Sequence, residues 1–192
     1  QGIDIDGDTI GLITYMRTDG TNISKDAVNS FRNYIAKNYG EIYLPDSPLN
    51  YSGKKAKNAQ EAHEAIRPTE ISRSPENLKK YLSTDQLKLY NLIWNRSLSS
   101  QMKAAQFDRK TITISSNDDM NIFKASGSTI KFDGFLKLSK IDDEDEEKIL
   151  PEVEKGEIKL ENFNDEQHFT QPPPRYSEAS LVKKLEELGI GR

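Results

Sequence analysis

The feature that most limits how this chain can fold is a change in the period of its apolar residues just past residue 102. From Ser83 onward, Leu87, Tyr90, Trp94, Leu98 and Met102 recur at helical spacing and form one continuous apolar stripe. Ser83-x-x-Gln86 fits a capping box at its start, so the longest helix of the chain begins there. Beyond Met102 the period drops to two. Lys110-Thr111-Ile112-Thr113-Ile114 alternates, Asn121 to Ala125 and Thr129 to Leu138 also read as strands, and Gly127 and Gly134 mark turns. The fold class is therefore mixed α and β: an α-rich piece over residues 1–101, a β-rich piece over 102–170, and a short helical start over 171–192.

Local signals fill in the rest. Thr9 to Tyr15 is rich in β-branched residues and reads as a buried strand, with turn chemistry at Thr18 to Asn22. Ser24 caps a helix from Lys25 to about Tyr39, with Val28, Phe31, Ile35 and Tyr39 on its buried face and Gly40 as its left-handed stop. A further strand is expected around Ile42 and a loop over Tyr51 to Asn58. Ala62 to Thr69 has a helical composition, but Pro68 pushes Arg67 out of the α region. Ser74-Pro75 starts a helix, and Ile158 to Phe163 reads as a strand. Pro172-Pro173-Pro174 is an extended link to a helix from Glu178 to Leu188, capped by Ser177 and followed by Gly189. An end so soon after that helix suggests a chain cut from a longer protein.

Composition removes several function classes. No run approaches the roughly 20 apolar residues of a membrane span, and the N-terminus has no basic-then-apolar signal segment. There are no cysteines, which excludes a disulfide framework and a thiolate zinc site and fits a reducing, cytoplasmic setting. The net charge of −4 by itself argues against nucleic acid, yet Asp142 to Glu147 is an unbroken run of six acidic residues. Outside that run 27 basic residues face 25 acidic ones, a balance of +2. A block of like charge is usually a solvated loop, so charge leaves DNA binding open.

Three places could carry chemistry. Tyr15 and Arg17 are two apart, and in an extended chain such residues point to one side and can meet one phosphate, with Asp19 continuing the alternation. A phenol of pKa about 10 is only ~0.1% ionised at neutral pH, so a nucleophilic tyrosine needs positive charge beside it. Spacing alone nevertheless favours a strand tyrosine and a surface arginine. The His63 imidazole and the Arg67 guanidinium could both bind phosphate oxygens, although a lone histidine is more often structural. With two histidines and no cysteine, a metal site is not expected. Arg192 follows Gly189-Ile190-Gly191, where the backbone could approach a partner closely; Lys183 and Lys184 beside Glu186 and Glu187 read most simply as a solvated face.

Three stretches carry a resemblance. Gly11 to Asp19, GLITYMRTD, looks like the active-site segment of the type IA DNA topoisomerases of bacteria. Ala62 to Thr69, AHEAIRPT, is similar to a second signature of that family, and Gln171 to Arg192, QPPPRYSEASLVKKLEELGIGR, resembles a third. They occur in the family's order, and together the resemblance covers nearly the whole chain. One departure is Gly20, where the family commonly has serine after MRTD.

The resemblance implies that Tyr15 is a nucleophile toward single-stranded DNA, that Arg17 assists it, and that Arg17, His63 and Arg192 contact the strand. It implies a tyrosine-bearing domain over 1–101, part of a β-rich arch or hinge over 102–170, and the start of a helical gate domain over 171–192, with exposed edges on an incomplete strand set. Mg²⁺ would be held by a Toprim domain outside this chain, and this chain alone is expected not to cleave. The implied partner is single-stranded and negatively supercoiled DNA, at the nucleoid, with the protein a monomer and no membrane involved. The rival reading is a non-catalytic DNA-binding or protein-interaction module of the same ancestry.

Overall fold

A computed structural model describes residues 2–18, 20–51, 64–139, 149–159, 161–162 and 164–190. Asp19, His63, Arg192 and the acidic run 142–147 lie outside the described residues, as does most of the expected loop over 51–58. The chain divides into two compact units, Gln1–Glu152 and Val153–Arg192.

The first unit opens with a small antiparallel hairpin, β1 (Ile3–Ile5) against β2 (Asp8–Ile10). Its two-residue turn uses positive φ at Asp6 and Gly7, the backbone that closes tight hairpins. The expected strand from Thr9 to Tyr15 is thus cut short. Past Ile10 only Ile13 pairs, in an isolated bridge with Pro68.

Helix α1 (Lys25–Asn38) starts where expected. The Ser24 side chain accepts from the Ala27 amide, and Ala27, Val28, Phe31 and Ile35 are buried. Gly40 does stop the chain at positive φ (103°), but with ψ 155° rather than in a left-handed helical turn. A 3₁₀ turn over Glu41–Tyr43 then replaces the strand expected around Ile42. The reason is local: the Tyr43 and Leu44 amides bond back to the Gly40 and Glu41 carbonyls, which takes these two donors out of any ladder.

A short helix, α2 (Pro75–Leu78), has Ser74 as its cap and proline at its start. Helix α3 (Thr84–Ser99) carries the full capping box between Ser83 and Gln86. Its buried face, Tyr90, Trp94 and Leu98, continues into Met102 and meets Phe31 and Ile35 of α1 in one core with Leu12, Tyr43, Ile71 and Leu78. The Trp94 indole donates to the Ile71 carbonyl (3.1 Å), and Tyr34 meets Trp94 edge-on at 5.5 Å.

After α3 the chain forms a long antiparallel ribbon, β3 (Gln106–Ser115) with β4 (Ile122–Phe132). Here the structure corrects one of the two expected turns, while the one at Gly134 is present. Gly127 lies inside β4 opposite Lys110, and the reversal is at 116–121. There the Asp118 carboxylate accepts from the Met120 amide (3.1 Å) and the Ser116 hydroxyl, and Asp119 takes φ 56°. Gly127 stays in the strand because Lys110 of β3 lies opposite it, a pairing that local sequence does not record. Beyond Phe132 the chain is a 3₁₀ turn, Gly134–Leu138, not a strand. Among the described residues the outer edges of this two-stranded sheet are unpaired.

In the second unit the described part of 158–163 is not a strand; a strand needs a partner, and none is paired with it there. Helix α4 (Glu178–Leu188) is capped at Ser177 and ends at Gly189 with φ 68°, ψ 21°, the left-handed stop. No helix among the described residues is long and apolar enough to cross a membrane.

Candidate active site

The segment Gly11 to Thr18 is positioned by residues more than fifty places later. Thr14 donates its amide to the Arg67 carbonyl (2.9 Å) and Thr69 its amide to Leu12 (3.0 Å), the two bonds that form the Ile13–Pro68 bridge. Side chains double this pairing. The Thr14 hydroxyl donates to Ala65 (2.9 Å) and accepts from the Arg67 amide (3.0 Å), while the Thr69 hydroxyl donates to Gly11 (2.8 Å). With Leu12 buried in the core, the backbone leading to residue 15 is held on both sides.

The pairing in turn rests on an ion pair. The Arg67 guanidinium donates to both oxygens of Glu64, at 2.8 and 3.0 Å, and its third nitrogen donates to the Pro68 carbonyl at 2.9 Å. Glu64 also accepts from the Ser24 amide (2.7 Å), just before α1. Hydrogen bonds from Arg67, and then from Ser24, hold the Glu64 carboxyl below its ordinary value against the opposing effect of burial. These are charge-assisted bonds in fork geometry, about twice the strength of neutral ones.

Tyr15 follows this clamp and is 64% exposed. Residues 15–17 do not keep the extended backbone that would put Tyr15 and Arg17 on one side. The Arg17 amide donates to the Tyr15 carbonyl (2.9 Å), closing a three-residue turn around Met16. The bridge at Ile13 is isolated rather than part of a continuing ladder, and the turn comes two residues later. Arg17 faces a cavity of about 860 Å³ shared with residues of α3 and the 104–135 region.

The structure therefore describes Tyr15 and Arg17 together on one short segment, whereas His63 and Arg192 lie outside the described residues. Among the described residues no three of His, Cys, Asp and Glu converge as a metal site would require. The Arg67 guanidinium, a candidate for phosphate beside His63, is tied to Glu64 instead, and Thr14 and Glu64 were not legible as site residues. Their only signal was membership of the two quoted segments, since nothing local says that residues 14 and 67 pair.

This arrangement, an exposed tyrosine and an arginine on a clamped turn, can be set beside known proteins. A family model described as DNA topoisomerase matches residues 8–192, and the chain belongs to the DNA topoisomerase family. It is 54% identical to DNA topoisomerase 1 of Rickettsia felis across 100% of this chain and 25% of the relative. It is 49% identical to DNA topoisomerase 1 of Helicobacter pylori over 100% of this chain and 26% of that protein. Among solved structures, full-length topoisomerase I from Thermotoga maritima superposes with a TM-score of 0.70 at 37% identity, covering 100% of this chain and 30% of that one. The chain thus spans about a quarter of the length of the curated relatives it matches.

Proposed function

We propose that the chain supplies the nucleophile of a type IA DNA topoisomerase. The Tyr15 oxygen attacks a phosphodiester of single-stranded DNA, forming a bond to the 5′ phosphate as the bond to the 3′ oxygen breaks. The phenolic proton is lost from Tyr15, and the departing 3′ oxygen takes up a proton from an acid outside this chain. Arg17 stabilises the charge that gathers on the phosphate oxygens, the usual task of a guanidinium in phosphoryl transfer. His63 and Arg192 position the strand through its phosphates. Because one phosphodiester is exchanged for another, religation is the reverse attack and needs no ATP; passage of a second strand through the break relaxes negative supercoils.

Residues 1–101 form the tyrosine-bearing domain in this reading, 102–170 part of the arch that acts as its hinge, and 171–192 the start of the gate domain. Mg²⁺ belongs to a Toprim domain outside this chain. Its place is to balance phosphate charge, and this chain alone does not cleave. The observation that carries the reading is the exposed Tyr15 at the end of a doubly braced backbone, in a chain belonging to this family.

A covalent-trapping assay tests it. The chain, rebuilt with its Toprim-containing N-terminal part, is mixed with labelled single-stranded oligonucleotide and Mg²⁺ and then denatured. Protein-linked label that is lost in Tyr15→Phe is the expected result. Strand binding without adduct from the rebuilt enzyme would favour a non-catalytic module instead.

A further inference from the structure

We propose that the cavity beside Arg17 receives one unstacked base of the single strand, with an adjoining phosphate on Arg96; this rests on the function proposed above. The cavity, about 860 Å³, is in the first unit and falls within the size range of small-molecule sites. Ile23, Leu49, Ile66 and Met102 give it apolar walls, and Arg17, Arg96 and Tyr51 contribute to the same lining. A flat ring with one charged neighbour suits such a mixture: apolar surface for the base, guanidinium for the phosphate.

One wall is braced in advance. Gln101 is fully buried, and its amide bonds Leu49 both ways, donating to the carbonyl (2.9 Å) and accepting from the N–H (3.2 Å). Two residues on, the Tyr51 hydroxyl donates to the Ser100 carbonyl (2.8 Å), and the Thr21 hydroxyl donates to the Tyr51 carbonyl (3.0 Å). These bonds hold the half-exposed Tyr51 ring in place as a stacking surface without closing the cavity. Stacking of a base on an aromatic ring is worth about 1–3 kcal/mol and tolerates any base.

Two polar groups at the cavity lack partners among the described residues. Ser99 Oγ is buried and makes no hydrogen bond, and the exposed Arg96 guanidinium makes neither a hydrogen bond nor an ion pair. A buried hydroxyl left unpaired is unfavourable, and an acceptor or donor on a base edge would offset that. Arg17 joins this cavity to the Tyr15 segment, so a strand lying on Tyr15 has a base within reach of it. Stacked duplex could not enter a concave site of this kind, which makes the preference for single strands a matter of shape.

The test uses the 192-residue chain with a single-stranded oligonucleotide containing 4-thiothymidine. Irradiation followed by peptide mapping should place crosslinks on Tyr51, Met102 or Phe135. In anisotropy titrations Arg96→Ala should weaken binding several-fold and reduce the slope of log K against log salt by about 0.7, the loss of one single-strand phosphate contact. Arg96 is exposed, so the variant should keep the native Trp94 fluorescence. Crosslinks confined to residues outside the cavity overturn the inference whatever happens to affinity. An unchanged salt slope in Arg96→Ala also overturns it, because the phosphate contact is then absent. Failure of the chain to bind the oligonucleotide at all overturns it too, while covalent trapping by the rebuilt enzyme judges the proposed function separately.

Discussion

Replacing Glu64 by alanine removes the group on which the active-site clamp depends. Three hydrogen bonds are lost: two from the Arg67 guanidinium (2.8 and 3.0 Å) and one from the Ser24 amide (2.7 Å). The Arg67 side chain is 14% exposed and, among the described residues, keeps the Pro68 carbonyl as a side-chain acceptor. Breaking a fully buried ion pair by removing one partner costs about 3–5 kcal/mol, whereas exposed pairs are worth about 0–1 kcal/mol. Glu64, 29% exposed, falls between these limits, so a loss of about 2 kcal/mol is expected.

The assay is urea unfolding followed by Trp94 fluorescence. Trp94 is the one tryptophan, it is buried in the core, and it reports on the first unit alone. The effect should also depend on pH with a fixed sign. Because Arg67 and Ser24 hold the folded carboxyl below its ordinary value of 4.5, its contribution is fully present above that value. It is lost as pH falls through the lowered folded value, so wild type and Glu64→Ala should converge in acid. Glu64→Gln, which keeps the shape and one neutral acceptor, should recover part of the loss. A Glu64→Ala change under about 0.5 kcal/mol at neutral pH, the usual range for surface substitutions, would refute the claim that this pair braces the segment.

Three other outcomes are expected. Gly134 has φ +50° with backbone atoms of Lys103 and Ala104 only 2.5–2.8 Å from where a Cβ would sit, so Gly134→Ala should lower stability by about 2–4 kcal/mol in the same urea assay. A wild-type value there would mean that the 3₁₀ turn does not pack on the 103–104 link. Burial pushes the Tyr90 phenol up to about 12. The stability this group contributes is complete below its unfolded value of about 10 and declines by roughly 2–3 kcal/mol as pH rises to about 12, so Tyr90→Phe should make the alkaline loss smaller by that amount while Tyr34, Tyr39 and Tyr43 keep theirs. In the rebuilt enzyme Arg17→Ala should slow adduct formation about 10²–10³-fold with little change in strand affinity, measured by quenched trapping; a normal rate would remove the role proposed for Arg17.

Much of the architecture was legible along the chain because it depends on neighbours three or four residues apart. Ser24, the Ser83–Gln86 box and the Ser177–Gly189 frame marked three helices, and the stripe from Leu87 to Met102 marked the core face. The segments around Tyr15 and Arg67 were likewise visible as text. Their meeting was not. Thr14 bonds Arg67 across 53 residues, and no period or propensity records which distant backbone will complete a ladder. The same gap explains the errors. Thr9 to Tyr15 has strand composition, but its partner after Ile10 is the 65–69 stretch instead of a second strand, so regular pairing stops and the chain turns at Met16. Gly127 looked like a turn and is a strand residue because β3 lies opposite it. Helix capping is settled locally, by side chains reaching their own backbone. Which tyrosine stands exposed on a fixed turn is decided only when remote backbone donors and acceptors find each other.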